Sequence, residues 1–503
     1  MEFLLQFLIV SFPLIFLLYL LPKIIKNNSR LYAPGPFALP FIGNLHQIDY
    51  KSLHTSLWNI SKSYGPIVSL RIGFMPAIVV SSASVAKDVL KTQDMIFCSR
   101  PPLLALQKFS YNGIDVALSS YNKNWSEMRK IITIHLLNQK RVQSLRYIRE
   151  DEVLRTMNKI HGLALSSNRV NLSELLQSAT NNVMIRMSFG KRYEDGHEHK
   201  KILRLLDDLQ GMITDFFITD CWPGLPFAGL IDKLTGKMGR LDKCFQNLDM
   251  FYQELIEEHL KPQNMKSNEE DHDIIDVLIQ HMKNPDLNTL ELTYNHIKAI
   301  ILDILAAGTD TSAATLTWGM TTLIKHPEVM KKAQEEVRSV VGKNNKVVED
   351  DLRKLTYLKA VIKEVMRLYP PTPLIPRETL KETILHGYKI ESKTLVYINT
   401  WAIGRDPESW KDPEESLPER FLGSDIDFKG NNFELVPFGA GRRICPGMSV
   451  GVMVIELFLA NLLYLFDWSL PDDMTSEDID FETKPGLTMH KKNALNLLAC
   501  VHH

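Results

Sequence analysis

The segment from Phe438 to Gly447 constrains this 503-residue chain more than any other part of it. It places Cys445 in a turn that contains Gly439 and Gly441, shortly before a long apolar run that begins at Met448. A sulfur just ahead of a helix N-terminus faces backbone N–H groups and the positive end of the helix dipole, which favour the thiolate. Glycines let the backbone turn sharply and approach a flat ligand. The pattern therefore predicts a thiolate that binds a ligand.

Other interpretations of this segment are weaker. A lone cysteine in a large protein is usually a small buried hydrophobe. A dinucleotide fingerprint would need a third glycine where Ile444 stands, and no strand–helix–acid context follows. All ten residues resemble the haem-binding signature of the cytochrome P-450 superfamily, the haem-thiolate monooxygenases. The resemblance implies that Cys445 ligates the iron of haem b, and that Phe438, Gly439 and Arg443 contact this cofactor.

Composition and charge exclude several classes of protein. A formal net charge of −1 creates no field that attracts nucleic acid, so we expect no nucleic-acid partner. The five cysteines are scattered and form no C-x-x-C pair, which argues for a reducing compartment and against a disulfide framework or structural zinc site. Length alone suggests about three domains. Because no linker follows residue 40, we expect instead one catalytic domain at 44–503.

The N-terminus predicts a membrane anchor at 1–22, followed by a basic, proline-rich hinge at 23–43. Residues Phe3 to Leu21 are nearly all apolar, and a stretch of this length can cross a bilayer. A cleaved signal peptide is the alternative, but the usual basic start and small-residue cleavage site are missing. By the positive-inside rule, the basic residues after the span keep the catalytic domain cytosolic. The resemblance places this single-pass chain on the endoplasmic reticulum membrane.

Hydrophobic periodicity predicts a mainly helical fold with a smaller β part. Residues Ile67–Ile72 and Ala77–Val80 flank a short turn and indicate a hairpin. From about residue 84 to 325 the pattern is mainly helical, and a second strand-rich part follows Pro370. The resemblance implies the cytochrome P-450 fold, with one large catalytic domain behind an N-terminal transmembrane helix.

A second motif, Ala307 to Ser312, interrupts a helical pattern that runs from about Thr293 to Lys325. The Thr311 hydroxyl can bond back to the Ala307 carbonyl and bend the helix. An acid beside an alcohol, Asp310 with Thr311, is a plausible proton relay. Taken alone, the motif is equally consistent with a packed glycine and a solvated Asp–Thr pair. It resembles the oxygen-activation motif of the superfamily, which implies that Thr311 and Asp310 are catalytic.

Two further groups gain meaning from the resemblance. Glu364, Arg367 and Arg420 resemble the structural triad of the superfamily, whereas alone Glu364 and Arg367 would be an ordinary helix-surface ion pair. Indole and guanidinium groups donate hydrogen bonds to carboxylates. The resemblance implies that four such side chains hold the two haem propionates: Trp125, Arg129, Arg377 and Arg443.

The substrate pocket is expected in segments that vary within the family. Among its residues we expect Asp303, Ala307, Leu374 and Leu487, most of them apolar. Asp303 is a candidate partner for a basic nitrogen of the substrate; the alternative is a solvated or internally bonded aspartate. A basic cluster is either a solvated helical face or a docking patch for an acidic redox partner: Arg129, Lys130, Lys140, Arg141, Arg146 and Arg149.

The resemblance covers essentially the whole chain, and the wording of its motifs is similar to plant A-type microsomal members of specialised metabolism. It implies a monooxygenase that inserts one atom of O2 into a small, largely apolar alkaloid, terpenoid, phenylpropanoid or aldoxime. Electrons would come from NADPH–cytochrome reductase, because the chain shows no flavin or nicotinamide site of its own. One rival is a reductase-independent dehydratase or isomerase acting on an oxime or hydroperoxide. Others are a haem sensor or carrier, and a membrane scaffold whose Cys445 is merely buried.

Overall fold

A computed structural model describes residues 31–166, 168–193, 196–264, 266, 272–284 and 290–502. The predicted anchor at 1–22 and the first part of the hinge lie outside the described residues. The described part of the hinge is non-helical and is hydrogen-bonded to the catalytic domain. The amide of Ser69 donates to the Pro34 carbonyl at 2.8 Å, and the amide of Lys389 donates to the Leu31 carbonyl at 2.6 Å.

Helices make up most of the described chain, as predicted. Their boundaries follow capping and turn residues: Asn122, for example, caps the helix of Trp125 by accepting from its backbone N–H. In chain order the α-helices are α1 (Leu53–Tyr64), α2 (Ala83–Lys87), α3 (Asp94–Phe97), α4 (Leu104–Phe109), α5 (Lys123–Ile131), α6 (Gln139–Ser144), α7 (Arg146–Leu165), α8 (Leu172–Phe189), α9 (His197–Thr214), α10 (Ile218–Cys221), α11 (Ala228–Leu234), α12 (Lys237–His259), α13 (Ile274–Lys283), α14 (Tyr294–Lys325), α15 (Pro327–Val341), α16 (Thr356–Leu368), α17 (Thr400–Ile403) and α18 (Met448–Leu465).

The β part consists of four small sheets in the described residues. The largest has the order β1-β2-β7-β4; its β1–β2 hairpin is the predicted one, with β2 beginning at Met75, two residues earlier than expected. Strand β2 pairs in parallel with β7, more than 300 residues later. In chain order the strands are β1 (Ile67–Ile72), β2 (Met75–Val80), β3 (Val170–Asn171), β4 (Leu374–Glu378), β5 (Thr383–Leu385), β6 (Tyr388–Ile390), β7 (Leu395–Asn399), β8 (Phe466–Ser469), β9 (Thr483–Lys484), β10 (His490–Lys491) and β11 (Asn496–Val501).

Helix α14 lies at the centre of the main core. It packs against α8 and α18, and Trp318 near its C-terminal end is fully buried. Both α14 and α18 are long and apolar enough to span a membrane, yet most of each is buried inside the fold. An interior helix has no solvent-facing side and is apolar all round. These two helices are therefore core helices of the catalytic domain.

The expected structural triad is present and buried. The Glu364 carboxylate accepts two hydrogen bonds from Arg367, at 2.7 and 2.8 Å, and one from Arg420 at 3.1 Å. It also accepts the backbone N–H of Leu417 at 2.7 Å. Arg367 in turn donates to the carbonyls of Pro413 and Glu415. The triad thus fastens the irregular segment around residues 404–420 to helix α16.

Replacing Glu364 with alanine should destabilise the folded protein strongly, because the buried guanidinium of Arg367 and the partly buried one of Arg420 lose their counterion. Breaking a buried ion pair from one side costs about 3 to 5 kcal/mol. Glu127→Ala is the matched control, since the Glu127–Lys130 pair has the same i,i+3 spacing but a largely exposed lysine. That control should cost at most about 1 kcal/mol. Urea unfolding of both variants measures the difference, and equal midpoints would contradict the assigned role.

Candidate active site

The Cys445 loop has the geometry that its sequence predicts. The Cys445 amide donates to the Phe438 carbonyl at 3.0 Å, which closes the loop, and helix α18 begins three residues later. The sulfur receives the backbone N–H groups of Gly447 and Met448. Burial raises the pKa of the Cys445 thiol, while these two amides and the charge of Arg129 act to lower it. The loop therefore presents a sulfur whose ionised form is supported by fixed donors.

The glycines of the loop are required by its backbone conformation, and Gly441 is also required by close packing. Gly439 and Gly441 have φ values of +67° and +68°, in the left-handed region. A Cβ on Gly441 would lie 2.1 Å from the Leu90 carbonyl oxygen. The loop is thus pressed against the segment of residues 88–94, and Asp94 receives the backbone N–H of Arg442 at 2.9 Å.

Four arginines converge near this loop: Arg100, Arg129, Arg377 and Arg443. None of them is paired with a carboxylate in the part of the chain that the structure describes; each donates to backbone carbonyls. Arg443 donates to Ser119 at 2.6 Å and also to Cys98 and Val116, and Arg129 donates to Ile444. Arg377 donates to the Pro376 carbonyl at 3.3 Å, and Arg100 donates to the same oxygen.

The pKa values of these arginines record the excess of positive charge. Burial first, and then repulsion from neighbouring arginines, lowers the pKa of Arg377 and of Arg443 to about 9 each. Burial and the charge of Arg377 also lower the pKa of Arg100 well below its ordinary value. Buried charges in proteins are normally paired. The cluster therefore has the electrostatics of a site for a ligand with more than one negative charge.

Trp125 contacts this cluster within the protein. Its indole N–H donates to the Val116 carbonyl at 3.0 Å, so it is already engaged within the protein. The guanidinium of Arg443 lies 4.5 Å from the centre of the indole ring, a cation–π contact. Trp125 thus fixes the position of Arg443 and of the loop that carries Val116.

The Thr311 motif lies on α14, which runs through it as a continuous helix rather than being interrupted. The Thr311 hydroxyl donates to the Ala307 carbonyl at 2.7 Å, as the sequence predicts. Gly308 is required by packing against α8, because a Cβ there would lie 2.4 Å from the Met184 sulfur. The hydroxyl oxygen of Thr311 can still accept a hydrogen bond from another group.

Asp310 is buried rather than solvated, and its carboxylate does not contact the Thr311 hydroxyl. His490 Nε2 lies 2.7 Å from Asp310 Oδ1, and Gln177 donates to the same oxygen at 3.4 Å. Burial acts to raise the pKa of Asp310, but hydrogen bonds from His490, Thr488 and Gln177 outweigh it and hold the pKa below its ordinary value. Asp310 is thus an ionised carboxylate that connects α14 to the β9–β10 hairpin.

The four predicted pocket residues lie on three different parts of the chain. Asp303 is buried and accepts the backbone N–H groups of Val116 and Ala117, so it is internally bonded, the alternative to a substrate counterion. Leu374 packs in the apolar cluster around β1 and β2. Leu487 is half-buried in the turn before β10, and the Ala307 carbonyl accepts from Thr311.

Only part of the basic cluster is exposed to solvent. Arg149 is fully buried and pairs with Glu349 through a 2.6 Å contact, and Arg141 is also buried. Arg146 pairs with Glu150 and Asp350. The six residues therefore do not all share one solvent-facing surface, because a row of basic residues on short helices does not show which of them faces the core.

Comparisons with known proteins decide the family. The family model described as Cytochrome P450 matches residues 33–497. The chain is a cytochrome P450. It is 49% identical over 508 aligned residues to 6,7,8-trihydroxycoumarin synthase of Pastinaca sativa, covering 98% of each protein. It is 48% identical to 5-OH-xanthotoxin synthase of the same plant, covering 97% of each. Among solved structures, a zebra fish cytochrome P450 with abiraterone shares the fold, with a TM-score of 0.75 at 24% identity, over 90% of this chain and 99% of that one.

Membership in the cytochrome P450 family establishes that the chain binds haem b and is a monooxygenase of plant specialised metabolism, acting with O2 on a small molecule. The residues present fit this cofactor. The buried arginine cluster matches two propionate carboxylates, and the Cys445 sulfur lies in a loop whose glycines permit close approach. A haem binder of this kind also needs a redox partner for its electrons.

Sequence reasoning missed three residues of the site: Arg100, Gln177 and His490. Arg100 joins the propionate cluster from a loop, and no short motif marks it. Gln177 and His490 reach Asp310 from α8 and β10, positions 133 and 180 residues away. The one available signal for Gln177 and His490 was Asp310 itself. A carboxylate on an interior helix requires hydrogen-bond donors from other elements.

Arg443→Met should weaken haem retention by about tenfold or more, since a charge-assisted hydrogen bond contributes about 1.5 to 3 kcal/mol. The neighbouring Arg442→Met is the matched control, because the Arg442 side chain is half exposed and lies 3.6 Å from Asp94. The measurement is the haem-to-protein ratio after transfer to apomyoglobin. Equal haem loss in the two variants would show that the buried cluster has no particular role in cofactor binding.

Proposed function

We propose that this cytochrome P450 hydroxylates a coumarin-type aromatic, using electrons from NADPH–cytochrome reductase, on the endoplasmic reticulum membrane. The observation that supports this substrate class is that Asp303 accepts the backbone N–H groups of Val116 and Ala117. Because this carboxyl is bonded within the protein, it offers no counterion to a substrate cation, which disfavours basic alkaloids. Relatives at 49% and 48% identity bear the names of a trihydroxycoumarin and a hydroxyxanthotoxin synthase, that is, of hydroxylated aromatics.

The overall reaction converts an aromatic C–H, O2, two electrons and two protons into C–OH and water. Haem, when bound, supplies the redox and oxygen chemistry, and the Cys445 thiolate would ligate its iron and donate electron density to it. Arg100, Arg377 and Arg443 would hold the propionates and so fix the plane of the cofactor. Trp125 and Arg129 support them through the Arg443 contact and the Ile444 carbonyl.

Protons reach the oxygen-binding side through residues of α14. The ionised Asp310 carboxylate accepts a hydrogen bond from His490, whose ring nitrogen lies 2.7 Å away, and serves as a proton acceptor on this path. The hydroxyl of Thr311, the next residue, donates its hydrogen to the Ala307 carbonyl, and its oxygen can accept a hydrogen bond from another group. This acid–alcohol pair also disfavours the dehydratase or isomerase alternative, since those reactions need no delivery of two protons to oxygen.

Thr311→Ala should keep haem but divert electrons from hydroxylated product into hydrogen peroxide. The matched control is Thr315→Ala, because the Thr315 hydroxyl makes the same backbone bond one turn later, to the Thr311 carbonyl at 2.9 Å. Microsomes containing the chain and a plant reductase are supplied with NADPH and coumarins, and product and peroxide are measured together. Full coupling in Thr311→Ala would contradict the relay.

The same assay tests the reaction class. Cys445→Ser should abolish the haem-thiolate spectrum and turnover together, whereas Cys500→Ser, at an exposed position, should change neither. A product that gains one oxygen atom and requires NADPH supports hydroxylation. Turnover that requires Cys445 but ignores NADPH would instead favour the dehydratase or isomerase.

Membrane attachment is supported by an apolar rim on the described surface. Exposed apolar side chains lie in the hinge and around α11, and Trp222 joins the two groups by donating to the Phe41 carbonyl at 2.9 Å. Such a patch marks an interaction surface. The hinge residues of the rim follow the apolar segment 3–21 in sequence, so a bilayer is the partner that fits the rim. The rim consists of Phe37, Leu39, Phe41, Ile42, Leu225, Phe227, Leu230, Ile231 and Leu234.

In a chain that lacks residues 1–22, replacing Phe227, Leu230 and Leu234 with serine should release the protein from phospholipid vesicles. Each buried apolar side chain contributes about 1.5 to 3 kcal/mol to such binding. Vesicle flotation measures the bound fraction. Serine at the exposed Met95, Ile134 and Tyr147, which lie outside the rim, provides the control and should leave binding unchanged. Equal loss in both variants would contradict the rim.

A further inference from the structure

Asp303 and Asp115 form a pair of buried carboxyl groups between the central helix and the loop after α4. Asp115 is completely buried and Asp303 is 8% exposed. Asp303 Oδ2 accepts the backbone N–H groups of Val116 at 2.9 Å and Ala117 at 3.2 Å. Asp303 Oδ1 receives no N–H or O–H group from any other residue that the structure describes.

Asp115 is satisfied by its own loop. Its two carboxyl oxygens accept the backbone N–H groups of Leu118 at 2.9 Å and Ser119 at 2.7 Å. The carboxyl groups of Asp115 and Asp303 also lie within hydrogen-bonding distance of each other. Two carboxylates contact each other stably only if a proton lies between them, since buried like charges this close cannot both ionise. The unmatched oxygen of Asp303 is the position left for that proton.

We propose that Asp303 and Asp115 share one proton, carried by Asp303, and that the pair latches the loop of residues 115–119 onto the central helix. Asp303 is then a positioning residue: a neutral acid that donates to Asp115 while accepting two N–H groups. The opposite side of the same loop is held by the cofactor-binding residues, since Trp125 and Arg443 donate to the Val116 carbonyl and Arg100 donates to that of Ala117. The latch therefore joins the arginine cluster to the central helix α14.

The surrounding charges decide which carboxyl holds the proton. Arg100 and Arg443 face Asp115 and stabilise its ionised form, whereas Tyr252 is the titratable group that faces Asp303 from α12. Burial raises the pKa of Asp115. Burial first, and then the charge of Asp115, raises the pKa of Asp303 well above its ordinary value. The pair thus carries one negative charge, and that charge lies on Asp115, which faces the arginines.

The pH dependence follows from this assignment. A carboxyl whose pKa is raised by folding contributes stability that is fully present below its unfolded pKa and is lost as pH rises through its folded pKa. The loop should therefore loosen at alkaline pH. Between the unfolded and the folded pKa, the folding equilibrium should weaken by up to about tenfold per pH unit from this group, and above the folded pKa it should level off. Asp303→Asn should remove this term, because an amide donates to Asp115 and accepts from Val116 without titrating.

The direct test is infrared spectroscopy of the haem-containing protein at pH 8, in H2O and D2O. The wild type should show the C=O band of a protonated carboxylic acid, and Asp303→Asn should lose it. Asp220→Asn is the control: burial raises the pKa of Asp220 to about 6, so this carboxyl is already ionised at pH 8 and the band should remain. A wild type without the band, or an Asp303→Asn variant that retains it, would overturn the proposal.

A second measurement addresses the latch itself. The pH dependence of the urea midpoint should be flatter in Asp303→Asn than in the wild type, whereas Asp303→Leu should lose the latch at every pH. In Asp303→Asn, the affinity for xanthotoxin should stay within about threefold of wild type at pH 7, a change of under 1 kcal/mol. The xanthotoxin measurement rests on the proposed function, but the infrared result does not. Failure of xanthotoxin to bind any variant would therefore count against the proposed substrate class. The infrared band alone would still establish or refute the shared proton.

Discussion

The buried arginine cluster is the constraint on which the rest of the site depends. Guanidinium groups of Arg100, Arg377 and Arg443 lie inside the fold without carboxylate partners among the described residues, and each is satisfied by backbone carbonyls alone. Those carbonyls belong to the segments around residues 98, 116–119 and 376. The cluster therefore dictates the path of three separate segments as well as the charge of the ligand, and a dianionic cofactor completes the balance.

The loop of residues 115–119 is the common element of the two halves of the site. Its carbonyls face the arginines, and its amides face Asp115 and Asp303. A peptide segment with donors on one side and acceptors on the other transmits a change at either side, because neither set of hydrogen bonds can be released without leaving buried polar groups unpaired. The arginine cluster and helix α14 are consequently coupled through five residues of backbone.

The features that sequence could predict are those set by local spacing or by a family motif. The Cys445 loop, the β1–β2 hairpin, the Glu364 triad and the bond from Thr311 to Ala307 are all present. The features that it could not predict depend on contacts between distant segments: Arg100 with Pro376 across 276 residues, and His490 with Asp310 across 180. The burial of part of the basic cluster has a related cause. Burial of Arg149 against Glu349 depends on a segment 200 residues later, which no local pattern reveals.

Asp303 and Asp310 show why a residue type in a motif does not determine its chemistry. They lie seven residues apart on the same helix, about two turns, and both are nine-tenths buried. Burial acts to raise the pKa of each. Asp310 meets donors from His490, Thr488 and Gln177, which make it an anion, whereas Asp303 meets a second carboxyl, which makes it a neutral acid. One aspartate is therefore an anion that accepts hydrogen bonds at neutral pH, while the other holds a proton in place to fix a loop.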